Sequence, residues 1–364
     1  MTGSKRDAIR TGPERTGPVR TGLAIALALS LLLAAWDAST SRAQTTTWEQ
    51  WQHLEGIVDV GGARNDGNLV VMAAGRLFLV SASGSIAPFA NGGDGFVGSP
   101  DAEPYFVVAP VLTSQPAGAQ PAGCSFTPDE LFVLDLGFPT GVVRVDAGGH
   151  ASHFATIPNV DMLDGIAFDT TGRFGDSLIV AGEREGATTV VTIDCRGRVT
   201  TVTDTAPPFE GGLAVAPLGF EPYGGDLIGA DELTGQIWAI APDGSATLVA
   251  VPNLPTGGDT GVESLGFVPP GFISAGGFAY LADRGTPDNP FPGTDSLLRL
   301  SAQTLSAAGV QDGDLLVATE GGGLTVAVRC TATACTTLRV ADGPPGAHGE
   351  GRIAFVIPAA AAGR

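Results

Sequence analysis

The 364-residue chain is poor in cations: Lys5 is its one lysine, and 19 basic residues face 38 acidic ones for a formal charge of −19. So negative a chain repels phosphate backbones and anionic lipid, which argues against nucleic acid and membrane surfaces as partners and for divalent cations. Histidine is scarce too. His53, His150, His153 and His348 are scattered, and no Gly-x-Ser-x-Gly elbow occurs, so a serine-hydrolase triad has no support. Long helical periodicity is missing, and no apolar run reaches the 18 residues of a membrane span.

The start of the chain has the order of a secretory signal. Lys5, Arg6, Arg10, Arg15 and Arg20 precede an apolar run of 14 residues, Leu23 to Trp36, and then the small, polar stretch Asp37 to Ala43. Cleavage is expected after Ala43, giving a secreted or periplasmic protein with no stable membrane insertion. The remaining residues 44–364 carry 13 Arg against 35 Asp or Glu, a formal charge of −22. Four cysteines fit an oxidising compartment. Cys330 and Cys335 flank a short turn between β-rich arms and are expected to face each other across a hairpin; Cys124 and Cys195 then pair by elimination. A zinc site is the weaker alternative, because no second close cysteine pair exists.

What the chain has in abundance is glycine, 53 residues, and proline, 26, cutting it into short apolar runs. The runs repeat. Asn68–Met72, Glu130–Leu134, Ser177–Ala181, Asp226–Ala230, Phe278–Ala282 and Asp314–Ala318 are apolar strands, each followed by an alternating one such as Arg76–Val80 or Gln236–Ile240. A Gly turn then leads in several units to a Thr- or Val-rich strand, and a short run closes most units: Gly165–Phe168, Gly212–Val215, Ser264–Phe267 and Arg352–Phe355. Six copies of a four-stranded unit predict an all-β fold, a single six-bladed β-propeller with four-stranded antiparallel blades. The Pro- and Ala-rich loop 110–128 lengthens one step, and the step from Ala279 to Leu315 is short for a full blade.

An acid stands at the entry to one inner run after another: Glu55, Glu103, Asp164, Glu210, Glu263 and Glu350. Equivalent blades would bring these carboxylates to one level of the central channel. There they would repel one another unless a cation sat among them, and hard oxygen ligands suit calcium or magnesium.

The repeats, with His53-Leu-Glu-Gly56 and Met162-Leu-Asp-Gly-Ile-Ala-Phe-Asp169, resemble the senescence marker protein/gluconolactonase family and its calcium-dependent phosphotriesterase relatives; Leu227 to Ile240 looks equally like NHL-type propellers. The resemblance implies a metal-dependent lactone or ester hydrolase, with Glu55 and Asp164 as metal ligands and Asp164 also in acid/base work. The family's Asn before Gly has no counterpart, since Glu210 and Glu263 stand in those places. A quinone-dependent sugar dehydrogenase shares the architecture, but the cations that grip an anionic quinone are sparse. The rival class is a non-catalytic extracytoplasmic propeller that binds a protein or glycan. Protein recovered from an exporting host should begin at Gln44 on N-terminal sequencing; an intact Met1 end would remove the cleaved leader.

Overall fold

The computed structural model describes residues 46–100, 102–111 and 124–358, so the leader expected over residues 1–43 and most of the 110–128 loop lie outside it. The described chain is almost entirely β-structure, small antiparallel sheets set around a propeller-like ring, with two short helices, Phe272–Ala275 and Ala302–Ala307. Inner strands follow one another around the ring: Ile57–Ala63, Phe106–Val108, Met162–Phe168, Ala214–Val215, Val262–Phe267 and Gly349–Val356, which returns to the first.

Burial explains why each strand has its composition. The second strands, such as Leu69–Ala73 and Leu227–Asp231, are buried at every residue, sandwiched between neighbouring sheets, and so read as continuous apolar runs. Outermost strands such as Val199–Ala206 face solvent over most of their length and are Thr-rich. The hairpins between third and fourth strands turn on Asp side chains. Asp146 and Asp194 each accept backbone N–H groups two and four residues on, and Gly149 and Gly197 take the positive φ that the turns need.

Among the described residues the sheets number five, not the six separate blades that the repeat predicts. Four have four strands each, and a fifth has nine: Thr46–Thr47, Ala334–Asp342, Thr325–Thr331, Leu315–Thr319, Val262–Phe267, Gly349–Val356, Phe278–Asp283, Ser296–Ser301 and Glu49–His53, in that order. Its halves join at one parallel bridge, Leu265 to Arg352. The short step is thereby explained. After Val262–Phe267 the chain crosses over to form Phe278–Asp283 and Ser296–Ser301, which pair toward Gly349–Val356, and only then returns with Leu315–Thr319 to complete the earlier pairing. The short inner runs also belong one unit later than the sequence suggests: Met162–Phe168 pairs with Leu178–Arg184 after it and opens that sheet rather than closing the one before.

Both expected disulfides are present. Cys330–Cys335 joins a register pair of one hairpin, and Cys124–Cys195 ties the segment before Leu131–Asp135 to a turn of the next sheet. No free cysteine remains among the described residues, which removes the zinc alternative. Among the same residues, no helix is long and apolar enough to cross a membrane.

Ring closure uses both ends of the described chain. Thr46–Thr47 and Glu49–His53 supply outer strands, and Gly349–Val356 supplies an inner one. Between the two N-terminal strands Trp48 is buried, donating its indole N–H to Thr325 Oγ1 at 2.8 Å and its backbone N–H to Asp342 at 2.9 Å. Trp48→Ala should therefore cost about 3–5 kcal/mol by leaving a cavity, and Trp48→Phe about 1–2 kcal/mol through the lost hydrogen bond, both read by denaturant unfolding. Unchanged midpoints would show that the N-terminal strands do not close the ring.

Candidate metal centre

At the N-terminal ends of the inner strands the acids converge. Asp164 sits where the register between Leu163 and Gly165 shifts, and Glu263 where it shifts between Val262 and Ser264. Such bulges re-aim a residue that regular pairing would direct elsewhere. Glu263 needs a further concession: Gly211 has φ +71°, and any Cβ there would collide with the Glu263 side chain.

Hydrogen bonds and charge join the group. Tyr105 Oη lies 2.7 Å from Glu263 Oε1 and 3.0 Å from Glu350 Oε2. The phenol has a single proton, which it shares between these two carboxyl oxygens. Burial, then the charges of Glu350, Glu320 and Glu103, hold Glu263 well above the usual carboxylate range. Burial pushes Glu350 up as well, but hydrogen bonding from His348 and the charge of Arg284 outweigh it and leave Glu350 below its ordinary value.

His348 Nε2 is 2.7 Å from Glu320 Oε1 and 3.3 Å from Glu350 Oε1. Burial opposes charge on the imidazole, yet these two carboxylates raise it to about 10. Asp283 fixes the histidine's backbone, accepting its N–H at 2.8 Å. Arg284 bridges Glu103 and, at 3.1 Å, Glu350. Burial raises Glu320 to about 7 despite the His348 hydrogen bond. Asp164 also reaches about 7, through burial and then the charge of Glu183. Glu210 still meets solvent, but desolvation by the surrounding protein, followed by the charge of Glu232, pushes it to about 8.

Five of the six acids expected at the channel therefore belong to one electrostatic group: Glu103, Asp164, Glu210, Glu263 and Glu350. Glu55 stands apart as an exposed turn residue between Glu49–His53 and Ile57–Ala63. The register places Val58, not Glu55, at the bulge matching Asp164, and Glu350 rather than Glu55 enters the closing inner strand. Sequence reasoning missed Tyr105, Glu232, Arg284, Glu320 and His348. Three of these had a signal: Glu232, Arg284 and Glu320 each fall five residues after the start of the repeated apolar run, at Leu227, Ala279 and Leu315, as does Glu183 after Leu178.

The donor set suits a cation. Glu320, His348 and Glu350 each offer a ligand atom within 4.8 Å of the others. Asp164 Oδ2, Glu263 Oε2 and His348 Nδ1 are buried without a hydrogen-bond partner among the described residues. Asp164 and Glu210 line two adjoining cavities of about 240 and 200 Å³, flanked by the exposed apolar side chains Met162 and Leu233.

No protein-family model and no curated protein sequence matches the chain. Among solved structures, virginiamycin B lyase from Staphylococcus aureus is similar at 11% identity over 80% of this chain and 74% of that one, with a TM-score of 0.47. A protein described as TolB from Agrobacterium tumefaciens matches at 14% identity over 85% and 93%, TM-score 0.42. One described as a gluconolactonase matches at 14% over 71% and 92%, TM-score 0.34. These matches concern the fold alone.

The shifts fix a pH dependence. Asp164, Glu210, Glu320 and His348 all have raised folded pKa values, so the folded state keeps protons that the unfolded chain has lost. Their stabilising contributions are complete below the unfolded pKa values and are lost as pH rises, between about 4 and 8 for the acids and about 6.5 and 10 for His348. Glu350 acts oppositely, its contribution being lost only on acidification. Metal-stripped protein should thus melt at lower temperature at about pH 8.5 than at about pH 5.5. A flat or rising melting temperature across that interval would contradict the buried cluster.

Proposed function

We propose that the protein is an exported, metal-dependent hydrolase acting on a lactone or ester carbonyl at the acidic mouth, with calcium as the first cation to test. The observation that carries this reading is an excess of carboxyl groups over cationic side chains, which burial and mutual repulsion push toward the protonated form for want of a counter-charge. Glu103, Asp164, Glu210, Glu232, Glu263, Glu320 and Glu350 gather around two cationic side chains, Arg284 and His348, and two of the carboxylate oxygens have no partner. Glu263, Glu320 and Glu350 would hold the cation through carboxylate oxygens, and it would neutralise the cluster, polarise a carbonyl and acidify a bound water.

Asp164 is the acid/base group. With a pKa of about 7 it exchanges a proton readily at neutral pH, and its side chain lines both adjoining cavities. Met162 and Leu233 would take the apolar part of such a molecule. Export accords with the leader-like start and the two disulfides.

Metal-stripped protein should gain about 2.7 kcal/mol of stability when free calcium exceeds its dissociation constant a hundredfold. It should then hydrolyse a panel of γ- and δ-lactones and aryl esters. Asp164→Asn should lower turnover at least 100-fold while leaving calcium stabilisation in place, Glu263→Gln should weaken calcium binding, and Asp288→Ala should change neither. Calcium stabilisation without turnover on any of these esters would select the non-catalytic binding propeller. No stabilisation by calcium, magnesium or manganese would remove the metal and the hydrolase together.

A further inference from the structure

The opposite ends of the same inner strands enclose a second, differently built cavity of about 350 Å³. All six inner strands contribute, and its wall is apolar, with Val108, Phe168, Leu213, Leu265, Phe267 and Phe355 among the lining residues. None of the acids of the metal centre lines it. Among the described residues, Arg352 is the one charged residue that does.

The state of that arginine defines what the cavity can take. A guanidinium has five N–H donors. Arg352 gives one, from Nη2, to Ile166 O at 2.6 Å; Nε is buried with no hydrogen-bond partner, and the guanidinium makes no other hydrogen bond among the described residues. The side chain is 15% exposed, into the cavity that it lines. Its charge is already matched, however. Asp59 is wholly buried with Oδ1 3.8 Å from Nε, so an added carboxylate would bring an uncompensated negative charge into an apolar mouth of a strongly acidic protein. The vacancy is for a hydrogen-bond acceptor, not for a charge.

We propose that this mouth is a second binding site, for an uncharged apolar molecule whose carbonyl oxygen accepts a hydrogen bond from Arg352. The cavity has the size of small-ligand sites, apolar side chains around one charged group. The hydrocarbon would lie against Phe168, Phe267 and Leu265, and the carbonyl would meet the unused N–H groups of the guanidinium's terminal nitrogens. The inference is independent of the metal centre, since the two sites share no lining residue.

The probes are 2-heptanone, heptanoate and heptane, titrated into the full-length protein with saturation-transfer NMR as readout. 2-Heptanone should bind saturably, with equal affinity in the presence and absence of chelator, and at least tenfold more tightly than heptanoate or heptane. Val108→Trp, which fills the cavity and leaves Arg352 in place, should weaken 2-heptanone at least tenfold. Arg352→Met should do the same, through loss of a hydrogen bond to a charged donor; if that variant fails to fold, Val108→Trp decides alone. Heptane binding as well as the ketone would reduce the site to an apolar hole, and tighter heptanoate would show that charge is recognised; either overturns the proposal. So would full affinity in Val108→Trp, or binding that requires the cation.

Discussion

The ring depends on one buried brace. Asp59, on the first inner strand, accepts the backbone N–H of Val60 at 2.8 Å, of Phe106 at 3.0 Å and of Arg352 at 3.1 Å, and Arg352 carries the connection across to Ile166. One carboxylate and one guanidinium thus tie four inner strands, including the two that lie 293 positions apart in sequence. A buried ion pair contributes little net stability, because desolvation offsets attraction, but it permits few alternative registers. Gly351 is the local concession: it has φ +66°, and any Cβ would collide with Asp59 Oδ1.

That brace also separates two chemistries. On one side the strand beginnings carry carboxylates, brought inward by bulges at Asp164 and Glu263, and are joined by the residues just past the second strands, Glu232 and Glu320. On the other side the strand ends carry Val, Leu and Phe. The segregation follows from what each end must do. The acidic end opens to solvent at Glu210, whereas the far end has a single charged group, already matched by Asp59. A channel acidic along its whole length would have no such contrast.

Much of this was legible in the chain, and the failures have a common cause. Strand composition reports burial locally, so second strands such as Leu315–Thr319 were readable as apolar runs, and the hairpin spacing of Cys330 and Cys335 was enough to pair them. Channel acids were readable wherever a repeat fixed the register. Glu55 was misplaced by three residues because the strand Ile57–Ala63 bulges at Val58, a register feature that no spacing records. The sheet count failed for the same reason: whether Phe278–Asp283 pairs with the chain before it or with Gly349–Val356 far ahead is a non-local choice. Tyr105 and His348 had no repeat to mark them, whereas Glu232 and Glu320 did and were overlooked.

The acidic mouth is tolerated because rigidity is supplied elsewhere. Crowding carboxylates without equal cations works against the folded state, and a flexible ring would open to hydrate them. Here the opening is resisted by second strands buried on both faces, by Trp48 locked against Thr325, and by a disulfide spanning 71 positions between adjacent sheets. In the loop-closure account a link of that length contributes about 4 kcal/mol, against about 2 kcal/mol for a loop the size of the Cys330–Cys335 hairpin. The long link joins the two sheets whose inner strands bring Tyr105 and Asp164 to the mouth. The strongest covalent constraint therefore lies where repulsion among the carboxylates would otherwise be relieved by sheets moving apart, and a cation offered to this mouth meets ligands already held at close range.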